Sequence, residues 1–156
     1  MTTDWYELIP GLKEFDVHNK KSNPEPEVWV CLEGNLSLAL SYSTIFWPEF
    51  VEIGGMVFQK GTTKEHVENW LSNNSGNKRS VEWVINHIHL QDIHGAFSQA
   101  TAKQLIYLGR VLKDMLACKL QRDFPEKKFV VEFIEDGIEN LADYQVSFFQ
   151  TDHETG

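Results

Sequence analysis

The chain has 156 residues, of which 42% are hydrophobic and 24% charged, a length and composition typical of one globular domain over residues 1–156. Its formal net charge of −9 argues against nonspecific binding to nucleic acid or to an anionic membrane, because such binding depends on Lys and Arg. No apolar run reaches the ~18 residues of a membrane-spanning helix and the first residues lack a signal-peptide pattern, so a cytoplasmic location is expected.

The first 27 residues are predicted to form a short helix followed by a loop. Asp4 and Glu7 have the spacing of a capping box at a helix start. Pro10 and Gly11 follow and are expected to end that helix. Residues 18–27 are rich in Asn, Lys, Ser and Pro, which favours an exposed loop.

Four strands are predicted between residues 28 and 59. The runs 28–32 and 36–42 are rich in β-forming residues, and the second alternates apolar with small polar side chains. The runs 50–53 and 56–59 flank Gly54-Gly55, which is a hairpin signal because glycine tolerates positive φ angles.

Apolar residues recur every three or four positions in the second half of the chain, which predicts helices. One helix starts near 62–65, a second carries the apolar stripe 81–88, and residues 101–122 form the longest and most regular one. Strands over 129–134 and 144–149 close the chain. Together these elements predict an α+β fold, with a mostly antiparallel sheet of four to six strands and about three helices packed on one face.

The densest polar cluster contains His87, His89, Asp92 and His94. The apolar period that precedes it predicts a helix, on which His87 and His89 would point about 200° apart. On a strand the same two side chains would converge, but the helical pattern is favoured. Two interpretations stay open: a hydrogen-bonded histidine cluster at a helix end, or a small metal-binding protein or metal-dependent enzyme centred on these four residues.

No sequence motif for catalysis or cofactor binding is found. The chain contains no G-x-S-x-G, G-x-G-x-x-G, P-loop, C-x-x-C or H-E-x-x-H pattern. Cys31 and Cys118 lie in apolar patterns with no activating base nearby in sequence, so two buried, reduced thiols are favoured over a disulfide. We therefore predict a non-enzymatic protein without a cofactor.

Acidic residues concentrate at the carboxyl-terminal end. Residues 129–156 contain seven Asp and Glu and no Lys or Arg. Glu135, Asp136, Glu139 and Asp143 fall in the loop between the last two predicted strands, where several carboxylates would face solvent. Exposed charges act on association rate and partner choice, so these four residues are predicted to bind a cationic protein partner. A solvated acidic loop without a partner is the alternative.

Four stretches resemble, in their order, a widespread group of small, uncharacterised bacterial proteins. They are FWPEFVE at 46–52, NHIHL at 86–90, YLGRVL at 107–112 and DFPEKKFVVEF at 123–133. The resemblance covers about residues 40–150 and implies a bacterial cytosolic domain, but it brings no activity and no functional residues.

A more general similarity, without a shared motif, links the chain to the immunity proteins of bacterial toxin–immunity pairs. The function expected from this similarity and from the negative charge is a non-enzymatic, acidic protein-binding module. Its partner would be a nuclease-type toxin with a cationic cleft, which the module would cover and neutralise. Neither a nucleic acid nor a membrane is an expected partner.

Overall fold

The computed structural model describes residues 3–20, 22–94, 99–135 and 139–153. The chain divides into two compact units, Met1–Ser43 and Thr44–Gly156, and each is described by itself. The described residues form seven α-helices and five strands, which confirms an α+β fold. One domain over residues 1–156 stays a prediction.

Four helices come first along the chain: α1 (Trp5–Leu8), α2 (Pro10–His18), α3 (Pro26–Glu33) and α4 (Leu36–Phe46). Asp4 caps α1, since its Oδ1 accepts hydrogen bonds from the Tyr6 and Glu7 amides at 3.1 and 3.2 Å. Pro10, which was expected to end this helix, also begins the next one, because a first turn does not need the amide hydrogen that proline lacks.

The two strands predicted over 28–32 and 36–42 are wrong, because both segments are helical. Pro26 occupies the first turn of α3, where proline is favoured. The Asn35 side chain accepts a hydrogen bond from the Leu38 amide at 3.1 Å, at the start of α4. These local start signals outweigh the alternating sequence pattern, which specifies a strand only where one of its faces is buried in a sheet.

The hairpin predicted around Gly54-Gly55 is confirmed. Strands β1 (Phe50–Ile53) and β2 (Met56–Gln59) are antiparallel and pair with each other along their whole length. Gly54 and Gly55 have φ angles of +61° and +84°, in the left-handed region that favours glycine. The turn therefore has the backbone that its sequence predicts.

A second antiparallel sheet contains β3 (Ile88–His89), β4 (Phe129–Ile134) and β5 (Gln145–Gln150), in the order β3-β5-β4. The last two strands match their predictions to within one residue. The predicted single sheet of four to six strands with about three helices on one face is wrong in detail, because the described residues form sheets of two and three strands and seven α-helices. The reason is that two of the segments expected to extend it became α3 and α4 instead.

Three further helices belong to the second unit: α5 (Lys64–Asn73), α6 (Lys78–Ile85) and α7 (Ala102–Asp123). Single turns of 3-10 helix occupy Asp92–His94, Leu141–Asp143 and Thr151–His153. Thr101 and Gln104 form a reciprocal capping box at the start of α7, so the long helix predicted over 101–122 is confirmed. None of the described helices is long and apolar enough to cross a membrane.

The two units differ in the size of their cores. The second unit buries three hydrophobic clusters; the largest contains Leu105, Leu112 and Leu116 of α7 with Leu90, Tyr144 and Val146. In the first unit, Leu12 is the one buried apolar side chain among described residues 3–20 and 22–43.

The two cysteines are free but exposed, so the predicted burial of both thiols is wrong. Cys31 lies in α3, which the strand prediction had placed in a sheet. On α7, Cys118 points about 200° away from the buried Leu116, so it faces solvent.

Candidate functional site

Two of the four acidic residues predicted to bind a partner are exposed in the structure. Glu139 and Asp143 both lie on the surface between β4 and β5. Glu135 instead pairs with Arg110, whose Nε and Nη2 lie 2.9 and 2.8 Å from Glu135 Oε2. Its charge is therefore largely compensated within the protein. Asp136 lies outside the described residues.

A cleft of about 770 Å³ opens in the second unit. It is formed by the end of α4, the segment from β2 into α5, the end of α6 and strand β3. The ionisable side chains on its wall are Lys60, His66, His87, His89 and Asp92. The structure thus brings three residues of the predicted histidine cluster to one cavity and adds His66, which the local sequence pattern missed. His94 belongs to the turn Asp92–His94, and its side chain lies outside the described part of the structure.

His89 lies in strand β3 and His87 directly precedes that strand, so the helical geometry predicted for this pair is wrong. Helix α6 ends at Ile85, because the buried Asn86 side chain is bonded to neighbouring strands. It donates to the Val57 and Phe148 carbonyls at 2.9 and 3.3 Å, and accepts from the Gln59 amide at 3.3 Å. These partners are 27 to 62 residues away in sequence, so no local periodicity could reveal them.

Outside the helix, the two imidazoles lie next to each other. Their ring centroids are 4.9 Å apart, and the rings meet edge to face. His89 Nδ1 lies 2.8 Å from the Ala142 carbonyl oxygen, and His87 Nδ1 contacts the Val84 carbonyl oxygen. Among the side chains that the structure describes, no three or more His, Cys, Asp or Glu form a group that could hold a metal ion.

The positive charge of Lys60 at the edge of the cleft is compensated. Its Nζ lies 2.5 Å from Glu49 Oε2. The hydrogen bond from Lys60, followed by the Lys60 charge, lowers the pKa of the Glu49 carboxyl below its ordinary value. The cleft therefore carries no strong net charge from this pair.

Large apolar side chains are exposed along both α3 and α4. They are Val28, Val30, Leu32, Leu36, Leu38 and Leu40, and are called the α3–α4 apolar surface below. Leu36 and Leu40 are 77% and 62% exposed. The sequence analysis missed this surface because it assigned both segments to strands. The signal for it in the sequence is the absence of any charged residue between Glu33 and Glu49.

No family model, curated protein or solved structure matches this chain.

Proposed function

We propose that the protein is a non-enzymatic, acidic protein-binding module whose partner is a cationic protein. The observation that carries this proposal is the exposure of the α3–α4 apolar surface. A helix without charged residues is normally covered by other protein. Helix α4 contains no charged residue, yet residues 36–41 are exposed.

Charge around the apolar surface favours a basic partner. Residues 22–43 contain Glu25, Glu27 and Glu33 and no Lys or Arg. A complementary surface would present an apolar groove with basic residues at its rim, as in other complexes where an apolar helix fills a groove. Attraction between opposite charges would raise the association rate and would reject acidic partners.

Within this class we propose an immunity protein that neutralises a nuclease-type toxin in the bacterial cytoplasm. A nuclease holds the phosphates of its substrate mainly through Lys and Arg, so its active site is a cationic cleft. An acidic protein that covers this cleft competes with nucleic acid for the same charges. The net charge of −9 supports this partner class over an acidic or neutral one.

The test compares partners captured from the native strain by the wild-type protein and by a Leu36→Gln/Leu38→Gln variant. Glutamine keeps the helix propensity of leucine but removes the apolar contact. Val17→Gln is the matched control, because Val17 is also 72% exposed but lies on α2.

The expected result is a basic protein that is retained by the wild type and the control and lost by the double variant. Once purified, that protein should show nuclease activity that one equivalent of the wild-type module abolishes. Equal retention by the double variant, or a retained protein whose nuclease activity is absent or unaffected, would contradict the proposal.

The acidic residues between β4 and β5 are proposed as a second, steering contact, with Glu139 and Asp143 as its exposed members. Glu135 and Asp136 belong to the same predicted set, and Asp136 lies outside the described residues. Reversing Glu139 and Asp143 to Lys should slow association with the purified partner at low salt and leave the dissociation rate nearly unchanged. Glu65→Lys/Glu126→Lys changes the net charge equally at two exposed positions elsewhere. Equal slowing by both double variants would assign the effect to net charge and remove this contact.

A further inference from the structure

We infer that His87 and His89 together bind a divalent transition-metal ion at the wall of the 770 Å³ cleft. The inference rests on the juxtaposition of the two imidazoles, whose ring centroids are 4.9 Å apart. It does not depend on the proposed protein-binding function, which uses other surfaces.

The hydrogen bonds of the two rings determine which nitrogen faces a ligand. A backbone carbonyl oxygen only accepts hydrogen bonds, so Nδ1 of each ring must carry the hydrogen that is donated to Val84 or Ala142. In the neutral imidazole, Nε2 then carries the lone pair. Metal-binding histidines are commonly oriented in this way, with the second ring nitrogen bonded to a carbonyl or carboxylate.

The two rings are close enough to share one ion. Their centroids are 4.9 Å apart, and each Nε2 would lie about 2.0–2.1 Å from a bound zinc ion. Both residues line the same cleft, as does Asp92, so a ligand can approach from solvent. Repulsion from Lys60 is reduced by its ion pair with Glu49 at 2.5 Å.

The type and the number of the protein ligands determine which metal ion binds and how many coordination positions stay open. Imidazole nitrogens suit zinc, copper, nickel and cobalt, whereas magnesium and calcium prefer oxygen ligands. The described side chains supply no third metal ligand. A tetrahedral ion would therefore keep two coordination positions for water or for a small anionic ligand in the cleft. We therefore expect moderate affinity and an exchangeable ion.

The test uses the full chain without a histidine tag, titrated with Co²⁺ and followed by its visible absorption, and with Zn²⁺ followed by calorimetry. The variants are His87→Asn and His89→Asn. The amide nitrogen of asparagine can replace Nδ1–H as the donor to the carbonyl, but asparagine has no counterpart of the Nε2 lone pair. Each variant therefore removes the proposed metal-binding nitrogen and keeps the hydrogen bond to the carbonyl. Circular dichroism verifies that the variants are folded.

His66→Asn is the matched control, because His66 lines the same cleft but packs edge to face against Trp70, with ring centroids 6.5 Å apart. Each of the first two variants should weaken metal binding by about tenfold or more, and the control should leave it within about twofold. Wild-type protein that takes up no metal overturns the inference. It is also overturned if His66→Asn weakens binding as much as the other two variants, or if His87→Asn and His89→Asn leave binding unchanged.

Discussion

At the scale of single residues, Glu82 has the most hydrogen-bond partners of the buried ionisable side chains that the structure describes. Its side chain is fully buried, and Oε1 accepts hydrogen bonds from the Val57 amide and Gln150 Nε2 at 2.8 and 2.7 Å. Oε2 accepts from the Gln150 amide at 2.8 Å and faces His153 Nδ1 at 3.1 Å. One carboxylate thus ties α6 to β2, to β5 and to the last described turn.

Replacing Glu82 should be among the most destabilising substitutions in the second unit. Glu82→Ala leaves several N–H donors without an acceptor. Glu82→Gln replaces one carboxylate oxygen by an NH2 group, which faces other donors and cannot accept their hydrogen bonds. Removing one member of a buried network of this kind costs about 3–5 kcal/mol. The free energy of unfolding in urea measures the loss, with Glu65→Ala, an exposed position, as the control within about 0.5 kcal/mol. A loss below about 1 kcal/mol for both Glu82 variants would show that the network contributes little.

Asp16 is a buried carboxylate of the opposite kind. It is 1% exposed, and neither oxygen has a hydrogen bond of standard geometry in the described part of the chain. Its neighbour is the Tyr6 side chain. The pKa of Tyr6 is raised above its ordinary value of 10.0. The largest cause is loss of hydration, followed by the charge of Asp16 and the interaction of Asp16 with the Tyr6 hydroxyl.

The raised pKa of Tyr6 predicts weaker folding of the first unit at alkaline pH. The folded state holds the phenol proton more tightly than the unfolded state, so the stabilisation is present below the ordinary pKa and is lost as pH rises above it. Tyr6→Phe should flatten the fall in the free energy of unfolding above pH 10.0, measured against the wild type at each pH. Parallel curves for the two proteins would contradict this prediction.

At the scale of elements, the packing of α7 against β4 depends on a glycine. A Cβ atom placed on Gly109 would lie 2.8 Å from Leu90 Cδ1, and closer still to the Phe133 ring of β4. Gly109 is buried in the middle of the helix, where glycine is otherwise unfavourable. The close approach of helix and strand therefore explains its presence.

Gly109→Ala should destabilise the protein by about 1–3 kcal/mol through overpacking, although alanine favours the helix by about 1 kcal/mol. Phe133→Leu in the same chain should recover part of the loss, because it removes ring atoms that the new methyl group meets. Urea unfolding of the two single variants and the double variant measures this coupling. A Gly109→Ala protein more stable than wild type would mean that helix and strand separate easily.

How far each element could be predicted follows from the range of the interactions that define it. The Gly54-Gly55 turn and the Thr101 capping box depend on residues within a few positions, and both predictions are confirmed. The end of α6 depends on Asn86 reaching β2 and β5, and that prediction failed. For α3 and α4, Pro26 and Asn35 were local helix signals present in the sequence, but the strand pattern obscured them.

At the scale of the whole molecule, the two units have unequal cores, which predicts unequal stability. Leu12 is the buried apolar side chain of the described residues 3–20 and 22–43, whereas three clusters stabilise the second unit. Regions with few buried contacts open at a lower free energy than the core. The first unit should therefore open well before the second.

Hydrogen exchange should show this difference directly. Amides of α2 and α3 should have opening free energies at least about 2 kcal/mol below those of α7. A bound partner that covers the α3–α4 apolar surface should raise protection of α3 and leave α7 unchanged, since binding stabilises the state that it selects. Equal protection of α3 and α7 in the protein alone would contradict this prediction.

The features that could be predicted from the amino-acid order alone are the α+β class, the hairpin at Gly54-Gly55, the long helix α7, strands β4 and β5 and the acidic carboxyl-terminal segment. Each depends on composition, short-range periodicity or turn chemistry. Only the tertiary structure decided that His87 and His89 lie next to each other, that Glu135 is paired with Arg110 and that the leucines of α4 are exposed. The first two features depend on contacts between residues distant in sequence, such as those of Asn86, and the third depends on which faces of the helix stay uncovered.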